Sequence, residues 1–77
     1  MTTIFKIGNF KYCIFANDHS PPHVHVIYKT RQYEARLSLD GEILTNVGFS
    51  KKDIKLMSEF IVKNKNRFIE VWDDYNR

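Results

Sequence analysis

At 77 residues, a chain of this kind buries only about 60% of its unfolded surface, which excludes a multidomain protein and a deep, closed active site. A composition of 43% hydrophobic, 14% aromatic and 27% charged residues excludes a disordered chain, and a formal net charge of +3, with twelve Lys and Arg and nine Asp and Glu spread along the chain and not clustered in one run, permits contact with RNA or DNA without arguing strongly for it. The lone Cys13 excludes an internal disulfide and a cysteine-built zinc site.

Ile4-Phe5-Lys6-Ile7, Gly8-Asn9 and Phe10-Lys11-Tyr12-Cys13-Ile14-Phe15 read as a hairpin around a two-residue turn in which Gly8 takes positive φ. Pairing Ile7 with Phe10 puts Phe5, Ile7, Phe10, Tyr12 and Ile14 on one surface, the core candidate. Lys6, Lys11, Cys13 and Phe15 fall on the other, where Cys13 reads as a partly packed thiol.

Pro21-Pro22 fixes φ near −65° twice and removes two donors, so the approach to the next strand is stiff and extended. A strand over His23 to Tyr28 then pairs with Tyr33 to Leu39 across Lys29-Thr30-Arg31-Gln32. Matching Tyr28 with Tyr33 sends Val24, Val26, Tyr33, Ala35, Leu37 and Leu39 inward and His23, His25, Glu34, Arg36 and Ser38 outward. Asp40-Gly41 supplies a turn, and Glu42 to Thr45 adds a short edge strand before Gly48.

Ser50-Lys51-Lys52-Asp53 resembles a capping box, and neither Gly nor Pro interrupts the chain after it. Ile54, Met57, Ile61, Phe68, Val71, Trp72 and Tyr75 recur at spacings of three and four, with Asn64 the polar interruption, so a helix kinked or broken near Asn64 covers one face of the sheet. The expected architecture is α+β: one domain over residues 1–77, an antiparallel sheet of four to five strands, one face packed by the C-terminal helix and the other left open.

The chemistry concentrates in Asn17-Asp18-His19-Ser20-Pro21-Pro22-His23-Val24-His25-Val26, which holds all three histidines of the chain. His23 and His25 share the open face, roughly 7 Å apart along the strand. As a metal site, His23 and His25 would bind a divalent ion with Asp18 or His19 as third ligand and Glu34, water or a neighbouring chain as fourth. As an acid–base pair they would cleave RNA through its 2′-hydroxyl, with Arg36 or Lys11 holding phosphate and Glu34 orienting a ring. As plain structure, Asp18 and His19 would tie the Pro-Pro loop to backbone, and His23 and His25 would decorate an exposed strand. That face, with Phe15 and Ile27 among its polar groups, would then dock a protein. Lys6, Lys11, Phe15, Asp18 and His19 are the binding candidates throughout. No cofactor is expected beyond the divalent ion of the metal reading, and whether the chain is an enzyme stays open between these patterns.

The same run, with Thr3-Ile4-Phe5-Lys6-Ile7-Gly8 at the start and Phe68-Ile69-Glu70-Val71-Trp72-Asp73-Asp74-Tyr75 at the end, resembles the signature of a small bacterial family catalogued as domain of unknown function 4160. The resemblance implies a short cytoplasmic module with a small protein partner, in an arrangement similar to toxin–antitoxin pairs; it brings no established reaction. A weaker resemblance, to histidine-triad nucleotide hydrolases, fails because two prolines and a four-residue step separate His19 from His23.

The function expected is therefore that of one component of a toxin–antitoxin-like pair, acting on RNA through His23 and His25. The alternative is a non-enzymatic protein-binding module, or a mobile-element-encoded inhibitor of a nucleic-acid-handling complex. With no apolar leader and no apolar run near twenty residues, a cytoplasmic protein without membrane contact is expected. A free sheet edge makes dimerisation plausible.

Overall fold

A computed structural model of the chain describes residues 2–15 and 21–76. Among these residues, five strands, β1 (Thr2–Ile7), β2 (Phe10–Ile14), β3 (His23–Tyr28), β4 (Glu34–Ser38) and β5 (Ile43–Val47), precede two helices, α1 (Lys51–Lys63) and α2 (Lys65–Tyr75). The strands form one antiparallel sheet in the order β1-β2-β3-β4-β5, so each pairs with its neighbour in sequence. The α+β class, the strand number and the helical break are those read from the sequence.

Local chemistry explains the meander. Gly8 sits at φ 59°, the left-handed region a two-residue hairpin turn needs. The register that follows pairs Ile7 with Phe10, Lys6 with Lys11 and Phe5 with Tyr12. An irregularity between Thr3 and Phe5 shifts the far end of β1, a feature the side-chain alternation does not encode. In the second hairpin the Tyr28 N–H donates to the Tyr33 carbonyl at 3.2 Å, and Ile27, Val26, His25 and His23 face Glu34, Ala35, Arg36 and Ser38. That is the register set by matching Tyr28 with Tyr33.

One face of the sheet and the inner stripe of both helices enclose the core. Ile14, Val24, Val26, Ala35 and Leu37 from the strands meet Met57, Ile61 and Phe68 from the helices, all without solvent exposure. Ser50 caps α1, its Oγ accepting from the Asp53 N–H at 3.1 Å. The break falls at Asn64, whose φ of −109° and ψ of 24° leave the helical region, and whose Nδ2 donates to the Phe60 carbonyl at 2.9 Å. A polar residue in an apolar seam thus ends one helix and starts the next.

Four expectations shift. Ile7, placed on the core surface, is 49% exposed at the end of β1. The last strand begins and ends later than the Glu42–Thr45 segment, and all five of its residues are exposed. Tyr75, placed in the apolar stripe, is 37% exposed because it lies on the final turn. Phe49, missed in the sequence, is buried: Asn46 holds it by donating Nδ2 to its carbonyl at 3.0 Å and accepting its N–H at 3.2 Å.

Candidate functional site

The face of the sheet away from the helices carries most of the singled-out residues in two rows. Strand pairing aligns Thr3, Cys13, His25, Arg36 and Thr45 in one row, and Lys6, Lys11, Ile27, Glu34 and Val47 in the next. His23 lies beyond them, opposite Ser38. The structure therefore brings His23, His25, Glu34, Arg36, Lys6 and Lys11 to one surface, as the alternation requires. Phe15 reaches the same surface by stacking on His25, with ring centroids 4.2 Å apart. The expected positions Asp18 and His19 lie outside the described residues.

Exposure is where the structure departs from expectation. Far from decorating an open strand, His23 and His25 are 7% and 4% exposed. Phe15 covers the His25 ring, the His23 ring sits 5.0 Å from it, and Trp72 of α2 packs against His23 at 5.4 Å. Cys13, paired with His25, is wholly buried, its Sγ 3.7 Å from the Thr3 hydroxyl. Alternation assigns a side chain to a face; it does not say whether aromatic residues from the strand end and from a helix fold over that face. Trp72, read as plain core, and Phe15, read as a polar-face neighbour, both turn out to wall the histidines.

The hydrogen bonds specify the rings further. His23 Nδ1 lies 2.8 Å from the Pro21 carbonyl. A carbonyl only accepts, so Nδ1 of His23 carries a proton. His25 Nδ1 and Arg36 Nε each lie 3.5 Å from the same Glu34 Oε1, at the far limit of hydrogen bonding. Glu34 is thus placed beside His25, the geometry of a carboxylate that orients an imidazole, and Arg36 is held beside both. Arg36 and Glu34 are half-exposed while His25 is not, so solvent reaches the charged members of the group but hardly the ring.

The metal reading asks His23 and His25 to share one divalent ion, and their ring centroids lie 5.0 Å apart. Among the described residues no group of three or more His, Cys, Asp or Glu is close enough to hold a metal ion.

A second feature lies at the opposite end of β3. Pairing places Phe10, Tyr28 and Tyr33 side by side on the helix-facing side, and their rings meet edge to face at 5.8 Å for each neighbouring pair. Between them, the β1–β2 turn and α1 runs a groove of about 660 Å³. Tyr12 and Phe60 form its depth, their rings 4.7 Å apart. Arg31 stands on its rim, 5.7 Å above both the Tyr28 and Tyr33 rings, and donates to the Tyr33 hydroxyl at 3.3 Å. That phenolic partner raises the Arg31 pKa above its ordinary value, and burial pushes the Tyr12 hydroxyl up to about 12. The sequence reading assigned Phe10, Tyr12 and Tyr33 to the core, used Tyr28 to set a register and gave Phe60 no role. Two turns falling at one end of a meander, with a ring column between them, were the available signal for a groove.

Residues 9–73 match the model of the family described as domain of unknown function DUF4160. The match takes in β2 to α2 and the whole histidine segment. The chain belongs to this family. No curated protein and no solved structure matches it. Among the described residues no helix is long and apolar enough to cross a membrane.

Proposed function

We propose that this chain is a non-catalytic protein-binding module of the cytoplasm, one half of a two-protein, toxin–antitoxin-like pair. The observation that carries the reading is the burial of the histidine pair. A general acid or base must reach the proton it moves, and a ring stacked under Phe15 or wedged against Trp72 reaches little besides its neighbours. The motif then serves as architecture, and recognition falls to surfaces that are open. A small basic domain with a concave aromatic groove suits a protein ligand better than a reaction centre.

A rival reading keeps His23 and His25 as an acid–base pair acting on RNA, with Arg36 and Lys11 as phosphate holders. One observation favours it: Glu34 lies beside His25 as an orienting carboxylate would. Expression of the wild-type chain and of a His23→Gln, His25→Gln variant, with total RNA profiled and the tagged protein's co-purifying partners identified, separates the two. The binding reading expects intact RNA in both cultures and the same captured protein from both. RNA loss with the wild type alone would overturn it.

A further inference from the structure

The groove at the turn end of the sheet contains a polar group that the fold does not use. Tyr12 is 3% exposed and packed against Phe60 and Phe68, yet its hydroxyl has no hydrogen-bond partner among the described residues. It is not a sealed-off atom either: among the described residues no buried side-chain nitrogen or oxygen lacks a partner, and Tyr12 lines the groove. A hydrogen-bonding group therefore lies in the groove lining without a partner from the fold. Water in the open groove can meet this donor in the free domain, and an acceptor on a ligand would take that water's place.

Three further features specify the occupant. Ile7 of β1 and Leu56 of α1 form opposite lips and are 49% and 53% exposed, large apolar groups that a folded domain gains by covering. Arg31 on the rim has a phenol and two ring faces as neighbours, and among the described residues no carboxylate within ion-pair reach. Asp53, at the start of α1, supplies an acceptor in the same groove.

Resting on the protein-binding reading above, we propose that this groove is the docking site for a short acidic segment of the partner protein. The segment seats one large apolar side chain between Ile7 and Leu56, offers a backbone carbonyl to the Tyr12 hydroxyl and a backbone N–H to Asp53, and places a carboxylate on Arg31. The net charge of +3 favours approach of an acidic segment. A nucleotide fits less well, because the groove's rings meet edge to face and offer no parallel pair to sandwich a base, and because its lips are aliphatic.

The test uses the full chain and a blocked peptide, acetyl-Asp-Leu-Trp-Glu-Leu-Asp-amide, titrated at low salt and followed by amide shifts and calorimetry. Binding should move the amides of Gly8, Asn9 and Arg31 and leave those of β5 still. Arg31→Gln should weaken it about tenfold and Tyr12→Phe about fivefold, magnitudes expected for a charged and a neutral hydrogen bond, with the melting temperature of Tyr12→Phe no lower than that of the wild type. A peptide with Lys in place of its acidic residues should fail to bind. Shifts confined to other surfaces, indifference to both variants, or uridine monophosphate moving the same amides while the peptide does not, would each overturn the proposal. Leu56→Glu, which blocks a lip without touching the core, separates the two levels of argument. If that variant still captures the cellular partner in full, this groove is not the docking site although the protein-binding reading stands; if the wild type captures none, the protein-binding reading itself falls.

Discussion

Ionising Tyr12 should destabilise this domain from inside the groove. Burial raises the Tyr12 pKa from the ordinary 10.0 to about 12, because the phenolate loses water that the surrounding rings cannot replace. The folded state holds the proton more tightly than the unfolded one, so the stabilisation is complete below the unfolded pKa and is lost as pH rises through the folded value. With those two values, folding should lose at most about 0.4 kcal/mol at about pH 10 and about 1.4 kcal/mol at about pH 11, upper limits because solvent in the groove screens the phenolate. For a domain of this size, 1.4 kcal/mol corresponds to roughly 5 to 11 °C in melting temperature. Other tyrosines and the lysines also titrate in this range, and the comparison that isolates Tyr12 is with Tyr12→Phe, which retains them all. The measurement is urea unfolding of both proteins from about pH 8 to 11. The stability difference should be small and constant at the lower end, then open in favour of Tyr12→Phe. Curves that stay parallel to about pH 11 would refute the reasoning, since the hydroxyl would then be no more buried in the folded state than in the unfolded one.

Gly48→Ala should cost more than about 2 kcal/mol, because φ is +97° and the added Cβ would overlap the Tyr33 ring; a melting temperature within a few degrees of wild type would contradict the packing of Phe49 and Tyr33. Ser50→Ala removes the acceptor for the Asp53 N–H and should cost about 1 kcal/mol by urea unfolding, with no change in the sheet's amide-exchange protection. The wholly buried Cys13 thiol should react with a disulfide reagent only through opening of the fold, at least about 100-fold more slowly than in denaturant; comparable rates would show that the histidine face opens readily. Phe15→Ala strips the ring stacked on His25 and should cost about 1 to 3 kcal/mol while making the His25 ring signals respond to added solvent-borne paramagnet; unchanged signals would mean that Phe15 does not shield the ring.

The hairpins and their registers were legible because alternation and turn chemistry are local. Gly8-Asn9 fixes one pairing, the Tyr28–Tyr33 match fixes another, and every inward residue of β3 and β4 follows from them. The break at Asn64 was legible for the same reason: one polar side chain in a seam of Ile61 and Phe68 has nowhere apolar to go, and bonds the helix carbonyl behind it instead. What was not legible depends on contacts distant in sequence. Whether His23 is open or covered is decided by Trp72, forty-nine positions later, and alternation carries no information about that. The bulges in β1 and between Arg36 and Leu37 leave no pattern in side-chain polarity. The groove needed the tips of two hairpins and one turn of α1 to meet, which is a property of the assembled fold rather than of any segment.

The placement of the histidine motif also explains why proline and histidine occur together. Pro21 and Pro22 donate no backbone hydrogen bonds, so the chain there cannot join a ladder as an ordinary strand would, and the Pro21 carbonyl must find a donor elsewhere. The His23 Nδ1–H, two residues on, provides it at 2.8 Å. That bond orients the His23 ring toward Trp72, while His25, on the same side of β3, takes Phe15 and Glu34. The motif thereby fastens the start of β3 to the end of β2 and to α2, and the groove lies at the other end of the same strand, about 17 Å away at 3.4 Å per residue. Two ends of one rigid strand can be altered independently when no shared contact links them. His23→Ala should therefore lower the melting temperature without changing peptide affinity measured well below it, whereas Arg31→Gln should do the reverse, and a coupled response would place the imidazoles inside the recognition machinery after all.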